Sequence, residues 1–226
     1  MKKIVIVLLM IVLCAYSALA EKPDKIRFIH YKDGTVKIAQ STIAGACYQL
    51  MGAKWQSTPI TYTINPKNPY GLSTAFILTQ IAAASKEWDK YTSKTLFNNY
   101  YYIDSSADGN NDAPNGKNEY SFGAYPSSNV IAVTQIWGYF SGTNKRIIEY
   151  DMLFNTYHKW GDAAANPKLM DLRNIATHET GHALGLGDLY NTCSQETMYG
   201  YSRIGEISKR TLNTGDIAGI RVLYGS

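Results

Sequence analysis

The 226-residue chain has only three cysteines, no concentrated charge, and no long apolar stretch beyond its first fifteen residues. Lys and Arg total 22 against 18 Asp and Glu, a formal charge of +4, and the basic residues form no run or stripe. That scatter excludes a nucleic-acid footprint. No internal repeat and no linker rich in Pro, Gly or Ser marks a boundary between large domains. What is abundant is tyrosine, 18 residues, together with Asn, Ser and Gly. Such a composition suits a turn-rich secreted domain.

The one apolar run, Ile4 to Ala15, follows Lys2 and Lys3, and Ala18-Leu19-Ala20 has the small-x-small pattern of a signal peptidase site. Residues 1–20 are therefore expected to be a signal peptide cleaved after Ala20, giving a secreted protein with no membrane attachment of the mature form. The other reading is an uncleaved N-terminal anchor, for which the run is short against the roughly 20 residues of a span. Cleavage leaves 206 residues, enough for one well-cored domain, expected as a monomer. It also leaves two cysteines, Cys47 and Cys193. In an oxidising compartment they most simply form one disulfide; the alternative is that Cys47 is a latency thiol that blocks a metal site.

Along the chain, Lys25 to Tyr31, a turn at Asp33-Gly34, and Thr35 to Ile38 alternate as a hairpin does. Residues 21–52 read as a short propeptide or an N-terminal hairpin, and His30 as an ordinary strand histidine. Pro59 to Pro66 alternates as a strand. Ser73 is a good N-cap for a helix carrying Ile77, Ile81, Ala84 and Trp88. Further strands are expected over 95–103, 119–125, 131–137 and 146–155, and a second helix begins near Asp171. Between two of these strands, oxygen-bearing side chains at Asp108, Asn110, Asp112 and Glu119 fall at positions 1, 3, 5 and 12 of an EF-hand-like loop, although Ala113 replaces its glycine. The segment reads as a polar turn or as a calcium site.

The chemistry concentrates in His178-Glu-Thr-Gly-His182-Ala-Leu-Gly185-Leu-Gly187-Asp188. Histidines four apart on a helix lie about 40° apart on one face, where two imidazoles bind one metal ion. Glu179 beside them is placed to take a proton from a water held on that metal. Asp188 would lie roughly 9 Å further along a continuing helix, so the helix must stop for Asp188 to become a third ligand. Gly185 and Gly187 are the residues expected to let it turn.

This extended string resembles the metzincin metallopeptidases, H-E-x-x-H-x-x-G-x-x-[H/D] followed by a methionine turn, supplied here by Met198 in Glu-Thr-Met-Tyr. The likeness is to the matrixin-type branch. It extends from Trp55–Asn65, similar to the family's first strand, through Tyr150–Asn155 with Trp160, to Gly215–Gly225, similar to its C-terminal helix. Aspartate in the third position, where most matrixins have histidine, is similar to the snapalysin-like enzymes, and no cysteine latency motif surrounds Cys47.

The resemblance implies an α+β catalytic domain over 53–226. Its twisted mixed sheet would have about five strands, with an N-terminal helix, an active-site helix and a C-terminal helix. It implies one catalytic Zn2+ on His178, His182 and Asp188, with Glu179 as base and Met198 packed beneath. The substrate would be a protein or peptide pairing with an edge strand at Ile131, Ala132, Val133 and Thr134. A carboxylate ligand leaves zinc with a net charge near +1, so Glu179 is expected to carry more of the activation. Two other readings stand beside this one. In a thermolysin-like enzyme Glu206 would be the third ligand, and in a secreted binding protein zinc would only stabilise the fold.

Overall fold

The computed structural model describes residues 21–34, 46–190 and 193–226. The expected signal peptide and the second arm of the N-terminal hairpin, 35–38, lie outside them. Among the described residues nine strands and three α-helices alternate irregularly, as in an α+β domain: β1 (Asp24–Lys32), β2 (Thr63–Ile64), α1 (Thr74–Asp89), β3 (Tyr102–Ile103), β4 (Glu119–Gly123), β5 (Val130–Tyr139), β6 (Arg146–Asn155), β7 (Trp160–Gly161), β8 (Met170–Asp171), α2 (Leu172–Ala183), β9 (Tyr201–Ser202) and α3 (Thr214–Tyr224). Seven strands form one mixed sheet in the order β3-β2-β4-β6-β5-β1-β9, and β7 pairs with β8. No helix among the described residues is long and apolar enough to cross a membrane.

Each helix begins where its sequence supplies an oxygen for the orphan N–H groups of a first turn. Ser73 Oγ accepts from Phe76 N at 3.2 Å, Asp171 Oδ1 from Asn174 N at 2.8 Å, and Asn213 and Asp216 form a capping box on α3. Ile77, Ile81, Ala84 and Trp88 put one stripe of α1 in the core with β6 residues Met152 and Phe154 and with Ile175 and Ala176 of α2. Trp88 Nε1 donates to Thr177 O at 2.9 Å, joining the two helices at the level of the histidine motif. The aromatic-rich stretch 95–103 is mostly irregular: only Tyr102–Ile103 is a strand, joined upstream by a bridge between Phe97 and Ile60.

The larger departure lies at the other side of the sheet. Ile131 to Thr134, expected at an edge, are interior, because β1 pairs antiparallel along the outside of β5 with Phe28 opposite Thr134 and His30 opposite Ala132. β1 then pairs parallel with β9 through Tyr31 and Lys32. Strand alternation specifies which side chains share a face; it does not specify which backbone edge they meet.

Candidate metal centre

His178, Glu179 and His182 lie on the last two turns of α2, and all three are buried. The helix ends in the hydrogen-bond pattern of a Schellman cap: Leu186 N donates to Gly181 O at 3.0 Å and Gly185 N to His182 O at 2.9 Å. Gly185 takes φ +105°, and a Cβ there would also run into Ala53 O. Gly187 does not adopt a positive φ, so the turn rests on Gly185 alone. The reversed chain brings Asp188 back over the histidines, with Oδ1 3.1 Å from His178 Nε2 and 3.3 Å from His182 Nε2.

The two Nε2 atoms are 3.1 Å apart. Each ring also has its Nδ1 against a backbone carbonyl, His178 on Thr197 O at 2.7 Å and His182 on Leu186 O at 2.9 Å. A carbonyl only accepts, so Nδ1 carries the hydrogen and Nε2 is left as a bare lone pair aimed at the centre. Two lone pairs and a carboxylate oxygen thus converge with no donor among them. Tetrahedral ligands with bonds of about 2.0–2.1 Å sit about 3.3 Å apart, and the triangle found has sides of 3.1, 3.1 and 3.3 Å. The residues fit a metal ion, and the same three form a metal-competent group with ligand atoms within 4.8 Å.

Burial pushes the His178 imidazole down to about 4, aided by neighbouring His30. Burial also opposes charge on His182, but the Asp188 carboxylate outweighs it and raises that ring. For Asp188 burial is overcome by His182 and His178, which hold the carboxyl below its usual range. Burial raises Glu179. Its Oε2 accepts from Thr134 Oγ1 at 2.5 Å, so Thr134, expected as a substrate-strand residue, also fixes the carboxylate.

Support for the ligands comes from residues outside the histidine motif. Tyr190 OH donates to Asp188 Oδ2 at 3.1 Å, and a Cβ at Gly200 would run into the Tyr190 ring. Met198 is buried beneath α2, where a Cβ on Gly181 would strike its Sδ and the Trp88 ring. The backbone of that methionine turn is held by Asp216, which accepts from Thr197 N at 2.6 Å and Met198 N at 3.0 Å. Glu196 Oε2 in turn accepts from Gly215 N at 2.9 Å. The first turn of α3 therefore fixes Thr197, and through its carbonyl the His178 ring.

Residues 54–225 match the family model of the matrixin peptidases. The chain belongs to the matrixin family. No curated protein matches it significantly. Family membership supports a metallopeptidase-type hydrolase acting on proteins and implies zinc, and the buried histidine-rich group fits a metal site.

Several expectations for this matrixin are revised. His30 is no ordinary strand histidine: it is fully buried against His178 and Glu179. Glu206 does not join the centre; its carboxylate takes Lys209 Nζ, Ser208 Oγ and Arg203 N. Cys47 is bonded to Cys193, with Cα atoms 5.6 Å apart, so its thiol is not available as a latency group.

The calcium reading gains no support from the loop. Asp108, Asn110 and Asp112 are exposed, Asp108 Oδ1 closes a local turn on Asn110 N at 2.9 Å, and neither aspartate belongs to a metal-competent group among the described residues. The loop is instead held by buried carboxylates accepting N–H groups. Glu119 Oε2 takes Asn111 and Asn115, Asp151 takes Asn111 and Glu119 N, and Glu149 takes Asn115 N and Gly116 N.

Proposed function

We propose that the chain is a secreted zinc endopeptidase in which His178, His182 and Asp188 hold the metal and Glu179 is the general base. The observation that carries this reading is the convergence of two bare Nε2 atoms and one carboxylate oxygen within 3.3 Å of one another, next to a buried carboxylate that binds no metal ligand. Bound zinc supplies Lewis acidity, polarising the scissile carbonyl and acidifying the attacking water. Glu179 takes that proton. Thr134 holds Oε2, which leaves Oε1 to receive the proton and deliver it to the departing amine. Burial favours the protonated form of Glu179, and that higher proton affinity suits a base that must hold a proton between the two steps.

Secretion is supported by the charged and apolar residues 2–15 with the site after Ala20, and by the Cys47–Cys193 disulfide, a bond kept in oxidising compartments. The competing reading, a zinc-stabilised binding protein, draws on one observation: Glu179 and both histidines are fully buried. Glu179→Gln separates the two. It should lower the cleavage of casein by about 10²–10⁴-fold while zinc content, measured by atomic absorption, stays at that of the wild type. Equal cleavage by the variant would remove Glu179 from the mechanism.

A further inference from the structure

The burial of the centre has a specific cause. β1 lies along the backbone edge of β5, and its alternate side chains Phe28 and His30 point at the two metal-competent histidines. Phe28 stacks on His182 with ring centroids 4.0 Å apart and planes within 10°. His30 meets His178 edge-on at 3.9 Å. His30 Nδ1 is 3.3 Å from Glu179 Oε1, yet neither ring nitrogen of His30 makes a hydrogen bond, and Oε1 has no hydrogen-bond partner either. A buried imidazole with both nitrogens unsatisfied is costly, so packing of the strand must hold it there. His30 therefore stands against the one carboxylate oxygen that Thr134 leaves open.

From this we propose that β1 is the chain's own occupant of the peptide-binding edge, an internal competitor of substrate, with His30 closing the space between Glu179 and the metal ligands. The inference rests on the endopeptidase reading. An extended peptide adding to β5 needs the same N–H and C=O groups that β1 now uses from Asp24 opposite Gly138 to Tyr31 opposite Val130. Both cannot bind at once. Cys47, spent in the disulfide, is not the blocking group; a histidine and a phenylalanine are. The strand is also unevenly held. Tyr31 and Lys32 are clamped between β5 and β9, and Asp33 N donates to Ser202 O at 2.9 Å. Asp24, Lys25 and Arg27 are exposed at the other end, which makes that end the one to peel first.

The test uses the full mature chain carrying Phe28→Ala with His30→Ala, and His30→Gln as a variant that keeps nearly the same volume. Two measurements are made. Amide hydrogen exchange on metal-free and zinc-loaded protein should show residues 130–137 protected in the wild type and exchanging at least about tenfold faster in the double variant. Hydrolysis of an added quenched-fluorescent peptide should rise by about tenfold or more in the double variant and by less in His30→Gln. A synthetic peptide of residues 24–32 added in trans should reverse the gain. Unprotected β1 and β5 amides in the wild type overturn the proposal, as does a folded double variant with unchanged exchange and unchanged hydrolysis. If no form cleaves any peptide, the endopeptidase reading falls, while the exchange data still decide whether β1 occupies the edge.

Discussion

Two buried clusters of acidic and polar groups, one at each side of the sheet, follow opposite rules. Around Glu119, Glu149 and Asp151, the carboxylate oxygens receive N–H groups from Asn111, Asn115, Gly116 and Glu119 itself. Around His178, His182 and Asp188, acceptors face acceptors at 3.1–3.3 Å, and the donors lie behind them, on Nδ1 and on Tyr190. The count of carboxylates would favour the first cluster as a cation site. The direction of the lone pairs favours the second. Where N–H groups already fill the oxygens, a cation has nothing to gain; where bare lone pairs converge, something positive must sit among them.

Altering the support behind each cluster sharpens that contrast. The largest effect is expected at Asp216, which holds the methionine turn and thereby Thr197 O against His178. Asp216→Ala strands several buried N–H groups and should cost about 2–4 kcal/mol. Thermal unfolding would read this as a fall of roughly 5–15 °C. Next is Tyr190→Phe, which removes the donor to Asp188 Oδ2 and should weaken zinc by about 10–100-fold in a competition titration with a chromophoric chelator, with little change in melting temperature without metal.

The remaining effect, read against pH and not at one fixed pH, belongs to the other cluster. Burial, with the charges of Glu119 and Glu149 adding, pushes Asp151 up to about 8 against the opposing hydrogen bond from Asn111. The folded chain then retains a proton that the unfolded chain releases near 3.8. That contribution to stability is complete below about pH 4 and is lost as pH rises through about 8. The melting temperature of the wild type should accordingly fall relative to that of Asp151→Asn between pH 5 and 9. A constant difference would mean that Asp151 is ionised throughout.

The parts of the fold and site that were legible in the sequence are those fixed by local spacing. Ser73 and Asp171 start their helices because a cap needs only its own next three residues. The histidine pair, Gly185 and Asp188 are likewise neighbours on one helix and its turn. What was not legible depends on which segments meet. Nothing local to Lys25–Tyr31 says that it lies on β5, so His30 could not be placed at Glu179. Thr134 and Asp216 reach the site across the fold, and Tyr190, although only two residues from Asp188 in sequence, is of a type that announces nothing. The loop at Asp108 shows the complementary limit: its oxygen spacing resembles a calcium loop, while the N–H groups of Asn111 and Asn115 that meet Glu119 and Asp151 come from positions that spacing does not record.

The most direct test of the contrast is a paired metal titration of the mature chain and its Asp188→Ala variant, monitored by equilibrium dialysis with zinc and with calcium. One zinc per chain is expected for the wild type, at least about 100-fold weaker zinc binding for the variant, and no calcium uptake by either. Undiminished zinc in the variant, or calcium bound at the Glu119 and Asp151 cluster, would contradict the assignment of the metal to the converging lone pairs.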